Sequence, residues 1–524
     1  MIRLSLLAIA TLFLTLTEGR YAYAVELPDI GESAGAYISP EQEHKIGEAF
    51  YRNLRSEGKV VDDPELQAYI QSIGEKLASH AEAQPSPFTY FLVDDSEINA
   101  FAVPGGFVGV NTGLVLLTES ESELASVLAH ETSHVTQHHM ARMFEAASRM
   151  SIPSAIAMLG AIALGVMSPQ AGQAAIAAVA AGQQQYALNF TRANEEEADR
   201  IGMDLLERSG FNPEAMPSFF ERLQTANRYN DPANVPEFLR DHPVTTNRIA
   251  DARARADQYP HHPYKNSAAF YLMRAKIRVL TATNPQQAVT YFQDTLREGL
   301  YRSADSAADP AKNTKESAAG PSAGNLAANS VAYLAYSAAD AGEEAARYGY
   351  AMALMQVSDY GKARVQVQRL LQARPEDPTF LLAAAKIDVA EKAYPQGLAT
   401  YDKLLRLYPG YRPAVIGSVE ALLANKQAEK ARVVLRDYVS QHNNDPAGYK
   451  LLAEAEGRMG RQVESHMAQA EFYYNNGDLH LAIEQLKLAQ KIPQMTYYQR
   501  ERVRARLDEL QKEFDEQKKE KKEG

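Results

Sequence analysis

Two histidines, His130 and His134, stand four residues apart in His130-Glu131-Thr132-Ser133-His134. On a helix that spacing puts both on one face, with Cβ atoms about 5–6 Å apart. Both imidazoles can then reach one ion at about 2.0–2.1 Å. Glu131 projects beside the same face, where it can take a proton from a water held by the ion. Leu124, Val127 and Leu128 give this helix an apolar face, so burial of the pair is expected. A five-residue match can also arise by chance.

The chain has no cysteine. That excludes a disulfide framework, a thiolate metal site and a cysteine nucleophile, so any metal must be held by histidine and carboxylate. A third ligand is needed. Asn194-Glu195-Glu196-Glu197-Ala198-Asp199 lies in a later helix, with Glu195 and Asp199 one turn apart. A glutamate there completes a His₂Glu set and leaves a fourth position for water. Asp199 is then placed to hold a ligand histidine from behind. An acidic first turn of an exposed helix would also produce three consecutive glutamates, but it leaves the histidine pair unexplained. His138 and His139 read as structural or surface residues, since His138 lies a further turn from the ion.

The elements that must position these groups follow from patterning. Residues 40–85 show helical periodicity through Ile46, Phe50, Leu54, Leu66, Ile70, Ile73 and Leu77. Phe88 to Val93 reads as a strand, and Phe101 to Val110 as two strands around Pro104-Gly105-Gly106. Thr118 with Glu121 predicts a capping box opening a helix over 119–147. Residues 185–257 read as helical with a break near 230–243. Residues 152–181 are apolar but interrupted at Ser168-Pro169-Gln170. Neither piece reaches the 18 or so residues of a spanning helix. They predict a groove-covering helical hairpin or a segment that touches a membrane or an apolar client.

The N-terminus carries Arg3, a short apolar run from Leu4 to Leu14, and Ala22-Tyr23-Ala24. That pattern predicts a cleaved export signal over 1–24, which in a Gram-negative cell leads to the periplasm. The 524 residues exceed one compact core. A net charge of −12 argues against a general nucleic-acid partner. Small residues Ala363, Gly397, Ala431 and Ser465 recur every 34 residues, with Tyr360 and Tyr394 before and Pro375 and Pro409 after the first two. This is the tetratricopeptide period, in which helix pairs stack into a superhelix. Ala288 with Phe292 marks an earlier unit. Residues 303–330 are small and polar and predict a flexible insertion, and the charged 493–524 predicts a solvated, fraying helix.

Four motifs follow one another in order: Asn99-Ala100-Phe101-Ala102-x-Pro104-Gly105-Gly106, the His130 motif, Glu195-x-x-Ala198-Asp199, and His242-Pro243-x-x-x-x-Arg248-Ile249. Together they resemble the gluzincin family that includes HtpX and the CAAX prenyl endopeptidases. The resemblance implies a mainly α fold: a gluzincin-type metallopeptidase domain with a small β-sheet over 25–262, then an α-helical tetratricopeptide superhelix over 263–492. It implies one Zn²⁺ per chain, held by His130, His134 and Glu195, with Glu131 as general base. Glu195 rather than Glu196 or Glu197 matches the family's position before Ala-Asp. In HtpX-like members the segment between the ligand motifs crosses the membrane; 152–181 suits a soluble relative with a covering or membrane-touching hairpin. His242 is implied as a regulatory fourth ligand or, with Arg248 as a catalytic partner, as oxyanion support; a structural role is the third reading. Val108, Gly109 and Val110 are expected to pair with an extended substrate as an added β-strand. Joined to the export signal and the repeats, the resemblance implies unfolded or misfolded outer-membrane proteins as clients and docking on the β-barrel assembly machinery. A chaperone or assembly factor with secondary cleavage is the competing reading.

Overall fold

A computed structural model describes residues 39–82, 87–143, 191–228, 236–260, 264, 266–299 and 338–523. The export signal, the apolar 152–181 and the 303–330 insertion lie outside the described residues.

The 40–85 region forms two helices, α1 (Pro40–Ser56) and α2 (Pro64–Ala78). Each opens on a proline whose missing N–H costs nothing in the first turn. Ser39 and Gln42 close a capping box on α1, and Asp63 accepts from the Glu65 and Leu66 amides at the start of α2. Three strands follow: β1 (Thr89–Val93), β2 (Ala100–Val103) and β3 (Phe107–Asn111), in the order β1-β3-β2. β1 runs parallel to β3, and β2 runs antiparallel to it across the Pro104-Gly105-Gly106 turn. At Gly105 (φ 80°) a Cβ would strike the backbone of His44, so glycine is required for both conformation and space.

β3 is the central, fully buried strand. This corrects the expectation that Val108, Gly109 and Val110 receive substrate, because both their edges are already paired. The outer edge of β1 is bridged at Val60. The edge left to a substrate belongs to β2.

Helix α3 (Thr112–Leu117) leads into α4 (Glu121–Thr136), which carries the histidine pair. The cap is Ser120, whose hydroxyl accepts from the Glu123 amide at 3.1 Å. Thr118, the expected cap, instead donates to the Val115 carbonyl. The helix expected to reach 147 ends at Thr136; His138 takes φ 50°, and helical structure restarts over 139–143. Then come α5 (residues 191–208), α6 (Ala215–Arg228), the short α7 (Glu237–Asp241) and α8 (Thr246–Ala256).

The rest is helical pairs. α9 (Ala268–Leu280) and α10 (Pro285–Glu298) bury Ala288 and Phe292, as the early unit predicts. After α11 (Ala338–Gln356) the period is exact in the backbone. α12 (Tyr360–Ala373), α14 (Tyr394–Leu407), α16 (Ala428–Gln441) and α18 (Gln462–Asn475) start 34 residues apart. So do the alternating α13 (Pro378–Ala390), α15 (Arg412–Ala424) and α17 (Pro446–Arg458). α19 (Leu479–Gln490) follows. The last helix, α20 (Tyr497–Glu523), is not simply solvated: Val503 and Leu510 are fully buried against α18 and α19. It closes the solenoid's apolar end, as a terminal repeat requires. One continuous apolar core runs from Leu66 to Ile387, so the boundary near 262 separates two sequence patterns rather than two cores. Among the described residues no helix is long and apolar enough to cross a membrane.

Candidate metal centre

α4 presents His130, Glu131 and His134, all shielded by the sheet, α5 and α6. His130 is 2% exposed, Glu131 1% and Glu195 3%. α5 brings Glu195 and Asp199 alongside, and His242 enters from the C-terminal end of α7. His130, His134, Glu195 and His242 each offer one ligand atom, all within 4.8 Å of one another.

The distances have a simple physical reading. Four atoms about 2.0–2.1 Å from one ion sit about 3.3–3.4 Å apart at the corners of a tetrahedron. His130 Nε2 lies 3.0 Å from His134 Nε2 and 3.4 Å from Glu195 Oε2. His134 Nε2 lies 3.4 Å from Glu195 Oε1. His242 Nδ1 supplies the fourth corner, 3.3 Å from His130 Nε2 and 2.9 Å from Glu195 Oε1. Two ring nitrogens aimed at each other and at one carboxylate fit a shared cation better than any set of direct hydrogen bonds. The donor set suits zinc chemistry.

The electrostatics agree. Burial opposes charge on His130, but its hydrogen bonds to Asp199 and Glu195 outweigh that and push the ring up to about 10. Burial, together with the charge on His130, holds His134 below its ordinary value. Burial likewise opposes ionisation of Glu195, yet the three imidazoles around it hold its carboxyl far below the usual range. Asp199 and Glu195 thus stabilise positive charge on the His130 ring between them.

Asp199 sits where the sequence placed it, with Oδ1 3.0 Å from His130 Nδ1. Arg248 packs against the same carboxylates. Its Nε and Nη2 both donate to Asp199 at 2.7 Å, and its Nη1 meets the Pro243 carbonyl at 3.0 Å and Glu195 Oε2 at 2.8 Å. Every guanidinium nitrogen is engaged, and Arg248 bridges two carboxylates. Glu131 is free for chemistry: among the described residues neither carboxylate oxygen has a hydrogen-bond partner. His242 Nε2 lies 3.6 Å from its Oε1.

Of the two histidines read as structural or surface, one is not at the surface. His139 is buried, and its Nδ1 lies 2.9 Å from His134 Nδ1. The left-handed turn at His138 swings it back onto the ligand, which a continuous helix would not do. A third histidine close behind the pair was the only signal in the sequence.

The centre opens into a groove of about 580 Å³, lined by Phe101 to Gly105 on one wall, by Met140 and Met143 on another, and floored by Glu131, His134 and His242. Asn111 donates to Asn99 across the β2–β3 pair at 2.9 Å. Antiparallel alternation then turns the backbone groups of Phe101 and Val103 toward β3, and those of Ala100 and Ala102 outward.

Comparison with known proteins places this geometry. Residues 64–256 match peptidase family M48, and residues 388–455 match the tetratricopeptide repeat. The chain is 34% identical over 509 residues to the beta-barrel assembly-enhancing protease of Escherichia coli (strain K12), covering 96% of each chain. To the protein of that name in Yersinia pestis it is 34% identical over 496 residues, covering 95% of this chain and 94% of the other. To the mitochondrial metalloendopeptidase OMA1 of Danio rerio it is 25% identical over 208 residues, covering 38% and 43%. The chain is a metalloendopeptidase and belongs to the family of beta-barrel assembly-enhancing proteases, with an M48 peptidase region followed by tetratricopeptide repeats.

Proposed function

We propose that this chain is a periplasmic zinc-dependent endopeptidase of outer-membrane protein quality control. It degrades misfolded or stalled β-barrel proteins and assists their assembly. The metallopeptidase region over 25–262 cleaves, and the repeats over 263–492 dock on the β-barrel assembly machinery. Cleavage of the 1–24 signal and membrane contact through 152–181 belong to the same reading. The observation that carries it is the convergence of His130, His134 and Glu195 beside a buried Glu131 that makes no side-chain hydrogen bond among the described residues, at the floor of a groove.

His130, His134 and Glu195 would hold one zinc ion per chain. When bound, zinc lowers the pKa of a water ligand to about 7 and polarises a peptide carbonyl. The protein's groups do the rest. Ala100 and Ala102 offer an outward backbone edge on which an extended chain aligns irrespective of its sequence. Glu131 takes the attacking water's proton and passes it to the leaving amine. Asp199 and Arg248 keep His130 and Glu195 oriented throughout. His242 Nδ1, seated among the ligands, keeps the centre closed until it is withdrawn.

That seat also supports the second reading, an assembly factor with latent cleavage. Glu131→Gln separates the two. Zinc content is expected to stay at one per chain, while digestion of an unfolded outer-membrane protein falls at least about 10²-fold. A chelator should abolish the parent's digestion. Unchanged digestion in Glu131→Gln would remove the general-base assignment. Full complementation of a deletion strain by Glu131→Gln would assign the cellular role to assembly.

A further inference from the structure

The two ligand histidines of α4 are held from behind in different ways. His130 meets a carboxylate directly, through Asp199. His134 does not. Its Nε2 faces the ligand set, so its Nδ1 carries the proton and faces away. There it meets the Nδ1 of His139 at 2.9 Å. Two nitrogens at that distance share one proton-donor role, so His139 must accept, and its own proton sits on Nε2. That nitrogen lies 3.2 Å from Glu197 Oε2, which accepts it. Arg142 donates to the same oxygen from Nη1 at 2.8 Å.

We propose that His139 is a positioning residue of the metal centre, the middle of a relay Arg142–Glu197–His139–His134 that fixes the tautomer and ring plane of one ligand. The inference rests on the metallopeptidase reading above. The relay runs through three segments of the fold. His134 closes α4, His139 and Arg142 lie on the helical residues 139–143, and Glu197 lies on α5 two residues past the ligand Glu195. The left-handed His138 between the first two is what makes the contact. One carboxylate run therefore serves both sides of the centre: Glu195 toward the cation, Glu197 toward the back of His134.

The test is metal affinity, read in two variants that separate the lone pair from the packing. Apo-protein is titrated with Zn²⁺ against a chromogenic chelator. His139→Leu fills the same space without a lone pair and is expected to bind zinc about 10–100-fold more weakly. His139→Asn, whose amide oxygen can accept where Nδ1 did, is expected to recover most of that loss. Parent affinity in His139→Leu overturns the relay while leaving the metal reading intact. An equal loss in His139→Asn overturns it too, by showing that ring volume is what matters. A parent that binds no divalent ion overturns both readings. Should His139→Leu fail to fold, Glu197→Ala at its partly exposed site carries the same test: weaker zinc binding supports the relay and unchanged binding overturns it. Imidazole ¹H–¹⁵N spectra of the zinc-loaded parent give a second readout, with His139 expected as the Nε2–H tautomer; an Nδ1–H tautomer overturns the proposal.

Discussion

His242 touches both halves of the chemistry at once. Its Nδ1 stands 2.9 Å from Glu195, the proposed ligand, and its Nε2 stands 3.6 Å from Glu131, the proposed base. Phe238, itself buried, lies along it with ring centroids 4.9 Å apart and holds the imidazole in place. A ring so placed fills the corner that a water would need. His242→Ala is therefore expected to raise steady-state cleavage of an unfolded client; a closed form populated about nine to one gives about a tenfold gain on its removal. An equal or lower rate at unchanged zinc content would assign His242 to oxyanion or structural support. The histidine pair was legible in the sequence because i,i+4 spacing is a property of one helix and needs no tertiary knowledge. His139 was not, since its contact depends on one residue, His138, leaving the helical region. The partners of Arg248 were hidden for a related reason: Asp199 and Glu195 reach it from a different helix.

At the scale of elements, the repeats show how a period fixes a backbone. Ser358, Lys392, Lys426 and Gly460 stand 34 apart at every second interhelix turn, and all take left-handed φ, at 61°, 63°, 59° and 74°. Only the last uses glycine. The left-handed region costs an L-residue about 1–2 kcal/mol, against a smaller entropic cost for glycine. Lys426 is exposed, so Lys426→Gly is expected to stabilise the chain by about 0.5–1 kcal/mol in urea unfolding. A lower midpoint would mean that the lysine side chain contributes more than the turn strain costs. The sheet was less legible. Two strands around Pro104-Gly105-Gly106 were clear from the sequence, but which one lies at the edge depends on where β1 docks, and that parallel pairing is non-local. Because β2 is the edge, Ala102→Pro removes one outward N–H without breaking the ladder to β3. Client cleavage is expected to fall about five- to tenfold, the worth of one hydrogen bond, at constant zinc content. An unchanged rate would show that substrate aligns elsewhere.

At the scale of the molecule, one polar knot joins the peptidase region to the repeats. Lys276 of α9 is buried between Asp63 and Glu65 at the start of α2, donating to Asp63 at 2.7 Å and also to Glu65. Tyr348 of α11 lies 3.5 Å from the same glutamate. Charges taken from water cost several kcal/mol each, and only the pairing compensates. Burial opposes the charge of Lys276, but Glu65 and Asp63 outweigh it and raise its pKa. Burial opposes ionisation of Asp63 too, yet Lys276 and Lys386 hold it below its ordinary value. The signs give two windows. The Asp63 contribution is complete above its unfolded value of about 3.9 and is lost as pH falls through its lower folded value. The Lys276 contribution is complete below about 10.4 and is lost as pH rises through its raised folded value. Lys276→Met fills the space but strands both carboxylates, and is expected to cost about 3–5 kcal/mol at pH 7. Since the core runs unbroken from Leu66 to Ile387, that loss should lower unfolding of the peptidase region and the adjoining first repeats together. Calorimetry of parent and variant from pH 7 down to pH 3 checks both points, because the gap between them should narrow as Asp63 takes up its proton. A variant whose repeats unfold at the parent's temperature while the peptidase region melts early would show that the knot fastens only one side.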